Sequence, residues 1–331
     1  MRFDKGVNGN ITYPIINQST IDNLPNLDIV SVFSKDNPRV IIDPTDIIFP
    51  SYTEDNSLWE ELTDVARLVY LAKNDVKLGK TKEVIKSIDH ILDPENPFCS
   101  RTIQQYYNVK TYKDGAMLVR NDYPLHILSS LSEFLLKRGA KVRNILPSVS
   151  FKRFTDSIVL SSHVIGWAVH TVSPNAFASK WYHGRPRPEE VIYAWANGDV
   201  TVDPMYSKQL ENFVDMAEVL SDPRKFTLYS EGCPNHPSYP AMHGAAAGAG
   251  LLLPVLFDLT EAEEEEVRRT VLNIAMFRDV AGVHYESDSL MGIQLGEMVI
   301  EQALPGFLET YGANRSEIED LISIKKRVWI S

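Results

Sequence analysis

Lys180-Trp-Tyr-His-Gly-Arg-Pro-Arg187-Pro188 gathers three permanent cations and a histidine into one short stretch broken by prolines. Two later stretches are of the same kind. One is His236-Pro-Ser-Tyr-Pro-Ala-Met-His243, which runs into Gly244-Ala-Ala-Ala-Gly248-Ala-Gly250; the other is Arg278-Asp-Val-Ala-Gly-Val-His284-Tyr-Glu-Ser-Asp288. Brought together by folding, they surround a small space with lysine, arginine and histidine. Arginine offers a planar fork of donors and lysine a movable point charge, so the set matches the oxygens of a tetrahedral or trigonal oxyanion. The chain has 44 acidic against 33 basic residues and a formal net charge of -11. In that background such cations are either dispersed over the surface or gathered to hold an anion.

Taken as a set, the three stretches resemble the vanadium-dependent haloperoxidases, which share their fold and anion site with the type 2 phosphatidic-acid phosphatases. That superfamily carries Lys-x6-Arg-Pro, then Pro-Ser-Gly-His, then Arg-x5-His-x3-Asp. Lys180-x6-Arg187-Pro188 and Arg278-x5-His284-x3-Asp288 match in full and in order. His236-Pro-Ser-Tyr-Pro240 is similar to the bromide- and iodide-oxidising branch, and Ala241-Met242 stands where the family has Ser-Gly. The matching region runs roughly from Trp167 to Glu297.

The resemblance implies an all-α, haloperoxidase-type helical bundle with vanadate as cofactor. Nε2 of His284 is then the ligand to the metal. Lys180, Arg187 and Arg278 neutralise the remaining oxygens, and Asp288 is a candidate to hold the other imidazole nitrogen. Met242 replaces the glycine whose backbone approaches the anion. His243 is the general acid and base for hydrogen peroxide, Lys180 polarises the peroxide oxygen, and His236 goes with the choice of bromide or iodide. The product is a hypohalous acid equivalent that halogenates a small organic acceptor. Alanine at 241 has no donor, and losing one charge-assisted bond costs about 1.5–3 kcal/mol. Two alternatives stay open. One is a phosphatase in which His284 forms a phosphohistidine and His243 protonates the leaving oxygen. The other is a relative that keeps the pocket for an organic anion, which Ala241-Met242 favours.

Composition narrows the partners. The acidic balance speaks against nucleic acid and anionic membrane, because phosphate groups need a basic surface. No apolar run is long enough to span a membrane, and the first residues lack the apolar core of a secretory signal, so the cytoplasm is the default expectation. Cys99 and Cys233 are too few and too far apart for a CxxC metal site or a disulfide scaffold. A homodimer is what the resemblance suggests.

Residues 1–54, rich in Asn, Asp, Pro and Thr, read as an extended N-terminal arm over a single helical domain, 55–331. From Asn56, apolar residues recur at helical steps through Leu58, Leu62, Val65, Val69 and Ala72. Further helices are expected over Thr81–Leu92, Asn121–Arg138, Phe154–Val172 and Ser207–Leu220, with Pro174 interrupting the third of these. Thr260 and Glu263 form a capping box for a helix that ends at Arg278, Ser287-Asp288 starts the next, and Ser316-x-x-Glu319 caps the last. His163 and His170 share a helix face without a third ligand and read as partly buried, hydrogen-bonded residues. Arg185 and His183 read as rim residues of the anion site.

Overall fold

In this computed structural model the described residues are 4–5, 11–12, 42–47, 58–78, 109–121, 123–146 and 154–330. The third expected helix is the one that departs most from its sequence reading. It runs without interruption from Phe154 to His183, straight through Pro174. Proline removes the N–H that would bond the carbonyl four residues back, and its ring crowds that carbonyl. Side chains near it supply donors along this stretch. Ser173 Oγ donates to the Val169 carbonyl (2.7 Å), Thr171 Oγ1 to that of Trp167 (2.8 Å) and Asn175 Nδ2 to that of Thr171 (3.1 Å). The helix continues past Pro174 and carries Lys180 in its last turn.

In chain order the described helices are α1 (Leu58–Lys73), α2 (Tyr112–Asn121), α3 (Pro124–Lys137), α4 (Phe154–His183), α5 (Pro188–Ala196), α6 (Pro204–Leu210) and α7 (Met216–Ser221). They continue as α8 (Met242–Gly248), α9 (Leu252–Leu256), α10 (Glu261–Val280), α11 (Glu286–Glu309) and α12 (Arg315–Ile330). Among the described residues strand is confined to two antiparallel pairs of two-residue strands, β1 (Asp4–Lys5) with β2 (Ile11–Thr12) and β3 (Lys141–Val142) with β4 (Phe257–Asp258). The class is all-α.

The centre is the Gly/Ala stretch. A Cβ added at Gly296 would stand 2.2 Å from the Ala245 carbonyl oxygen, and one at Gly248 would stand 2.3 Å from that of Ile293. Only glycine lets α8 and α11 approach so closely. Around this pair pack α3, α4, α10 and α12, whose buried Leu, Ile and Val side chains form the main core. A second cluster joins Leu62, Val65 and Ala66 of α1 to Val191, Ile192 and Trp195 of α5.

Several expected boundaries are corrected. The single helix over Ser207–Leu220 is two, because Asp203 caps α6 at the Met205 amide (2.8 Å) and Asp215 caps α7 at the Glu218 amide (3.0 Å). The segment from Asn121 is likewise divided, since Pro124 opens α3 at its first position while α2 already ends at Asn121. Asn314, not Ser316, caps α12, through the Ser316 amide at 3.0 Å. The capping box of Thr260 and Glu263 is present in α10. The expected helix over Thr81–Leu92, Cys99 and most of the arm lie outside the described residues; of the arm, Ile42 and Ile47 are buried in the main core.

Candidate functional site

The backbone ties the three motif stretches together before any side chain does. After α4 the chain turns at Gly184, whose φ of +62° favours glycine, and Pro188 opens α5 with Arg187 immediately before it. The Ser238 amide donates to the Arg185 carbonyl (2.7 Å), joining the second stretch to the first. The Ala241 amide donates to the Asp288 carbonyl (2.8 Å), joining the second to the third. Arg278 lies in the last turn of α10 and Asp288 in the first turn of α11, each at the helix end its charge favours.

Within that frame Lys180 and Arg187 are completely buried, and Arg278 and His284 are 5% and 1% exposed. Lys180 Nζ donates to the carbonyls of Pro237 (3.0 Å) and Ser238 (2.8 Å). Arg187 donates from Nη1 to the Val283 carbonyl (2.6 Å) and to Nε2 of His284 (3.1 Å), and from Nη2 to Nδ1 of His236 (3.1 Å). Arg278 Nη1 donates to the Tyr229 hydroxyl (2.8 Å), and its Nε is buried without a partner. Nδ1 of His284 lies 3.1 Å from Oδ2 of Asp288, an oxygen that also accepts from the Tyr285 amide (3.0 Å) and from Ser238 Oγ. Asp288 can only accept when ionised, so the ring proton sits on Nδ1 and Nε2 keeps its lone pair.

The electrostatics agree. Burial pushes the Lys180 ammonium well below its usual pKa, and Arg187 and Arg278 push it further, against Asp288. Burial and Arg187 likewise hold His284 neutral against its bond to Asp288. Burial favours a neutral Asp288, but Arg185, His284 and Ser238 outweigh it and keep the carboxyl ionised. His243 is pushed well down by burial, then by Arg278 and Lys180, and His236 is pushed down to about 3 by burial, Arg187 and Lys180. Arg187 thus joins His236 and His284 directly, Lys180 bonds the backbone of the second stretch, and the charge of Arg278 bears on Lys180, His236 and His243.

Other sequence expectations land variously. Met242 turns a half-buried side chain onto the core, leaving its backbone in the first turn of α8. Ala241 occupies the N-cap of that helix with no side-chain cap bond. Arg185 is not a rim residue. It is 2% exposed, with Nη1 on Asp288 Oδ1 at 2.7 Å and its guanidinium 4.0 Å above the Tyr285 ring. His183 is half-buried between the rings of Tyr182 and Tyr239, and burial lowers it to about 4. His163 and His170 are exposed, not partly buried, and His163 Nε2 bonds the Tyr311 hydroxyl at 2.9 Å. Among the described residues no group of three or more His, Cys, Asp or Glu could hold a metal cation. Sequence reasoning missed Ser238, Tyr229 and Glu61. Ser238 alone carried a signal, being inside the second motif.

An oxyanion fits this donor set. Among the described residues no carboxylate lies within ion-pair distance of Lys180 or Arg278. Arg278 Nε lacks a partner, and the lone pair of His284 Nε2 is held toward the cations, accepting from Arg187 Nη1 at 3.1 Å. Buried cations of this kind are stabilised by a matching anion. Fold and site together describe an all-α protein with a cationic cage capped by a neutral imidazole.

No protein-family model matches the chain. Its sequence is similar to a vanadium-dependent bromoperoxidase of Corallina pilulifera, 26% identical over 219 residues, which are 57% of this chain and 34% of that protein. A vanadium-dependent bromoperoxidase of Ascophyllum nodosum is 25% identical over 178 residues, 40% of this chain and 32% of that protein. One of Corallina officinalis is 33% identical over 111 residues, 26% of this chain and 19% of that protein. The chain thus spans about a third or less of the length of these curated relatives. Among solved structures, the homohexameric second vanadate-dependent bromoperoxidase of Ascophyllum nodosum gives a TM-score of 0.43 at 18% identity, covering 59% of this chain and 43% of that one. Among the described residues no helix is long and apolar enough to cross a membrane.

Proposed function

We propose that this chain is a vanadate-dependent haloperoxidase that oxidises bromide or iodide with hydrogen peroxide and passes the halogen to a small organic acceptor. The observation that carries this reading is the approach of Arg187 to His284 Nε2 at 3.1 Å while Asp288 holds Nδ1, inside a cage that also contains Lys180 and Arg278. When bound, vanadate supplies an electron-poor centre that activates peroxide toward halide without changing its own oxidation state. His284 would hold that group from Nε2. Lys180, Arg187 and Arg278 would neutralise its oxygens, and Lys180, pushed down by burial and like-sign neighbours, would regain its charge beside an anion. His243, kept neutral, accepts the peroxide proton and returns it on product release. His236, ring against Phe177 at 5.3 Å between centroids and neutral beside Arg187, bears on the halide.

The same neutral His284 would serve a phosphatase as nucleophile, and the missing donor at Ala241 favours a weaker, organic-anion site. Two assays separate the readings, each run with and without added vanadate: bromination of a phenolic dye with peroxide, and release of phosphate from an aryl phosphate. Vanadate-dependent bromination is the expected result. Phosphate release without bromination at saturating vanadate assigns the phosphatase, and no vanadate binding by calorimetry assigns the organic-anion site. Hydrogen peroxide, halide and a small acceptor are the partners in this reading, with no nucleic acid or membrane and with a homodimer as the assembly.

A further inference from the structure

Arg185 is the cation of the first motif that the oxyanion reading leaves without a task. Its donors turn away from the cage. Nη1 reaches Asp288 Oδ1 (2.7 Å) and Ser287 Oγ (2.7 Å), and Nη2 reaches Glu61 Oε2 (3.2 Å). Glu61 comes from α1, more than a hundred residues earlier, and also accepts from Ser287 Oγ at 2.7 Å. The guanidinium carbon lies 4.0 Å from the centre of the Tyr285 ring, so its orientation is set by two carboxylates and an aromatic face.

We propose that Arg185, braced by Glu61, is a positioning residue. It fixes the carboxylate plane of Asp288 so that His284 keeps its proton on Nδ1 and presents Nε2 to the oxyanion. This inference rests on the assignment of His284 as ligand. An imidazole can bind an anionic centre through either nitrogen, and only the partner of the other nitrogen decides which. Asp288 Oδ2 is that partner, and it is already shared with Ser238 and the Tyr285 amide. A carboxylate with one oxygen so engaged still pivots about that oxygen. Arg185 on Oδ1 removes the pivot, and Glu61 prevents Arg185 from following it. Helix α1, remote in sequence from every motif, thereby reaches the ligand through two side chains.

The test uses the full chain labelled with 15N-histidine, with long-range ring spectra of wild type, Arg185→Gln and Glu61→Gln. The His284 signals are assigned by their loss in His284→Asn. Wild type shows His284 as a single Nδ1–H tautomer. Arg185→Gln gives an averaged pair of tautomers and vanadate affinity by calorimetry lower by about tenfold or more, the range seen when a ligand's supporting partner is removed. Glu61→Gln, which leaves both Arg185 and Asp288 in place, shifts the same signals in the same direction by less. Should Arg185→Gln fail to fold, the Glu61→Gln spectrum decides. An unchanged Nδ1–H pattern in the folded variants overturns the proposal. A wild type that shows the single tautomer yet binds no vanadate overturns the haloperoxidase reading and leaves the role of Arg185 standing.

Discussion

A histidine surrounded by cations stays neutral at physiological pH, and a neutral ring with one nitrogen tied down is a ligand at the other. His284 meets both conditions, the first through burial and Arg187, the second through Asp288. His243 is likewise kept neutral but is held by the Val119 backbone, not by a carboxylate, and the Arg187 bond goes to His284, so the two histidines should separate in experiment. His284→Ala is expected to lose vanadate on gel filtration. His243→Ala should retain it while bromination falls by about 10²–10⁴-fold, the usual contribution of a positioned acid–base; equal vanadium loss from both contradicts the roles. Ala241 gives a second prediction. As an N-cap with no side-chain bond it leaves first-turn donors of α8 to other partners, and Ala241→Ser adds an acceptor for them. The melting temperature should rise by the equivalent of about 0.5–2 kcal/mol, with tighter vanadate binding, and a fall would mean that the fully buried site has no room for the hydroxyl. At this scale the motif spacings were readable because Lys180, Arg187, Arg278 and His284 are chemically conspicuous. Glu61 was not, since one more glutamate on an amphipathic helix carries no mark of what it touches.

The separation of elements depends on where glycine is required and where it is only tolerated. Gly296 is required, because a Cβ there would meet the Ala245 carbonyl oxygen at 2.2 Å and the Gly248 Cα at 2.9 Å, both backbone atoms that cannot turn aside. Gly166, inside α4, has nothing within 4 Å of the same probe. Alanine favours a helix interior over glycine by about 0.8–1.0 kcal/mol, so propensity alone raises stability at both sites. Gly166→Ala is expected to raise the denaturation midpoint. Gly296→Ala should lower it, since overpacking costs about 1–3 kcal/mol and outweighs the gain. Parallel urea titrations check the pair, and two shifts of the same sign would refute the contact. Helices with strong local signals, such as α1 from Leu58 and α10 from its Thr260 cap, were legible in the sequence. The course of α4 through Pro174 was not, because a proline read alone predicts a break, while the helix is buried on both sides of it, at Val172, Asn175 and Ala176. The break between α6 and α7 was missed for another reason: their apolar spacing runs on across the Asp215 cap.

Helix α11 links stability of the whole molecule to the site, since its first turn holds His284 through Asp288, its glycines seat α8, and its middle buries an acid. Glu297 is 1% exposed, its Oε1 has no partner, and burial, opposed by Lys326 and reinforced by Glu301, raises it to about 8. A carboxyl raised on folding binds its proton more tightly in the folded chain than in the unfolded one, where it titrates near the model value of 4.5. The stability this gives is therefore complete below the unfolded value and is lost as pH rises through about 8. Glu286, raised to about 7 by burial and by Asp64 and Glu61, acts in the same sense. Asp288, held ionised by Arg185 against burial, acts in the opposite sense and only in strong acid. Between pH 6 and pH 9 the two raised acids subtract from stability while Lys180, pushed down by burial, adds to it, so the part due to Glu297 is read as a difference from wild type. Glu297→Gln keeps the shape of the neutral acid and cannot ionise, so over that interval its melting temperature should rise relative to that of wild type. Matching slopes for the variant and wild type would show that Glu297 is already ionised at pH 6, and that the middle of α11 holds a charge where the structure gives it only Lys326 to answer it.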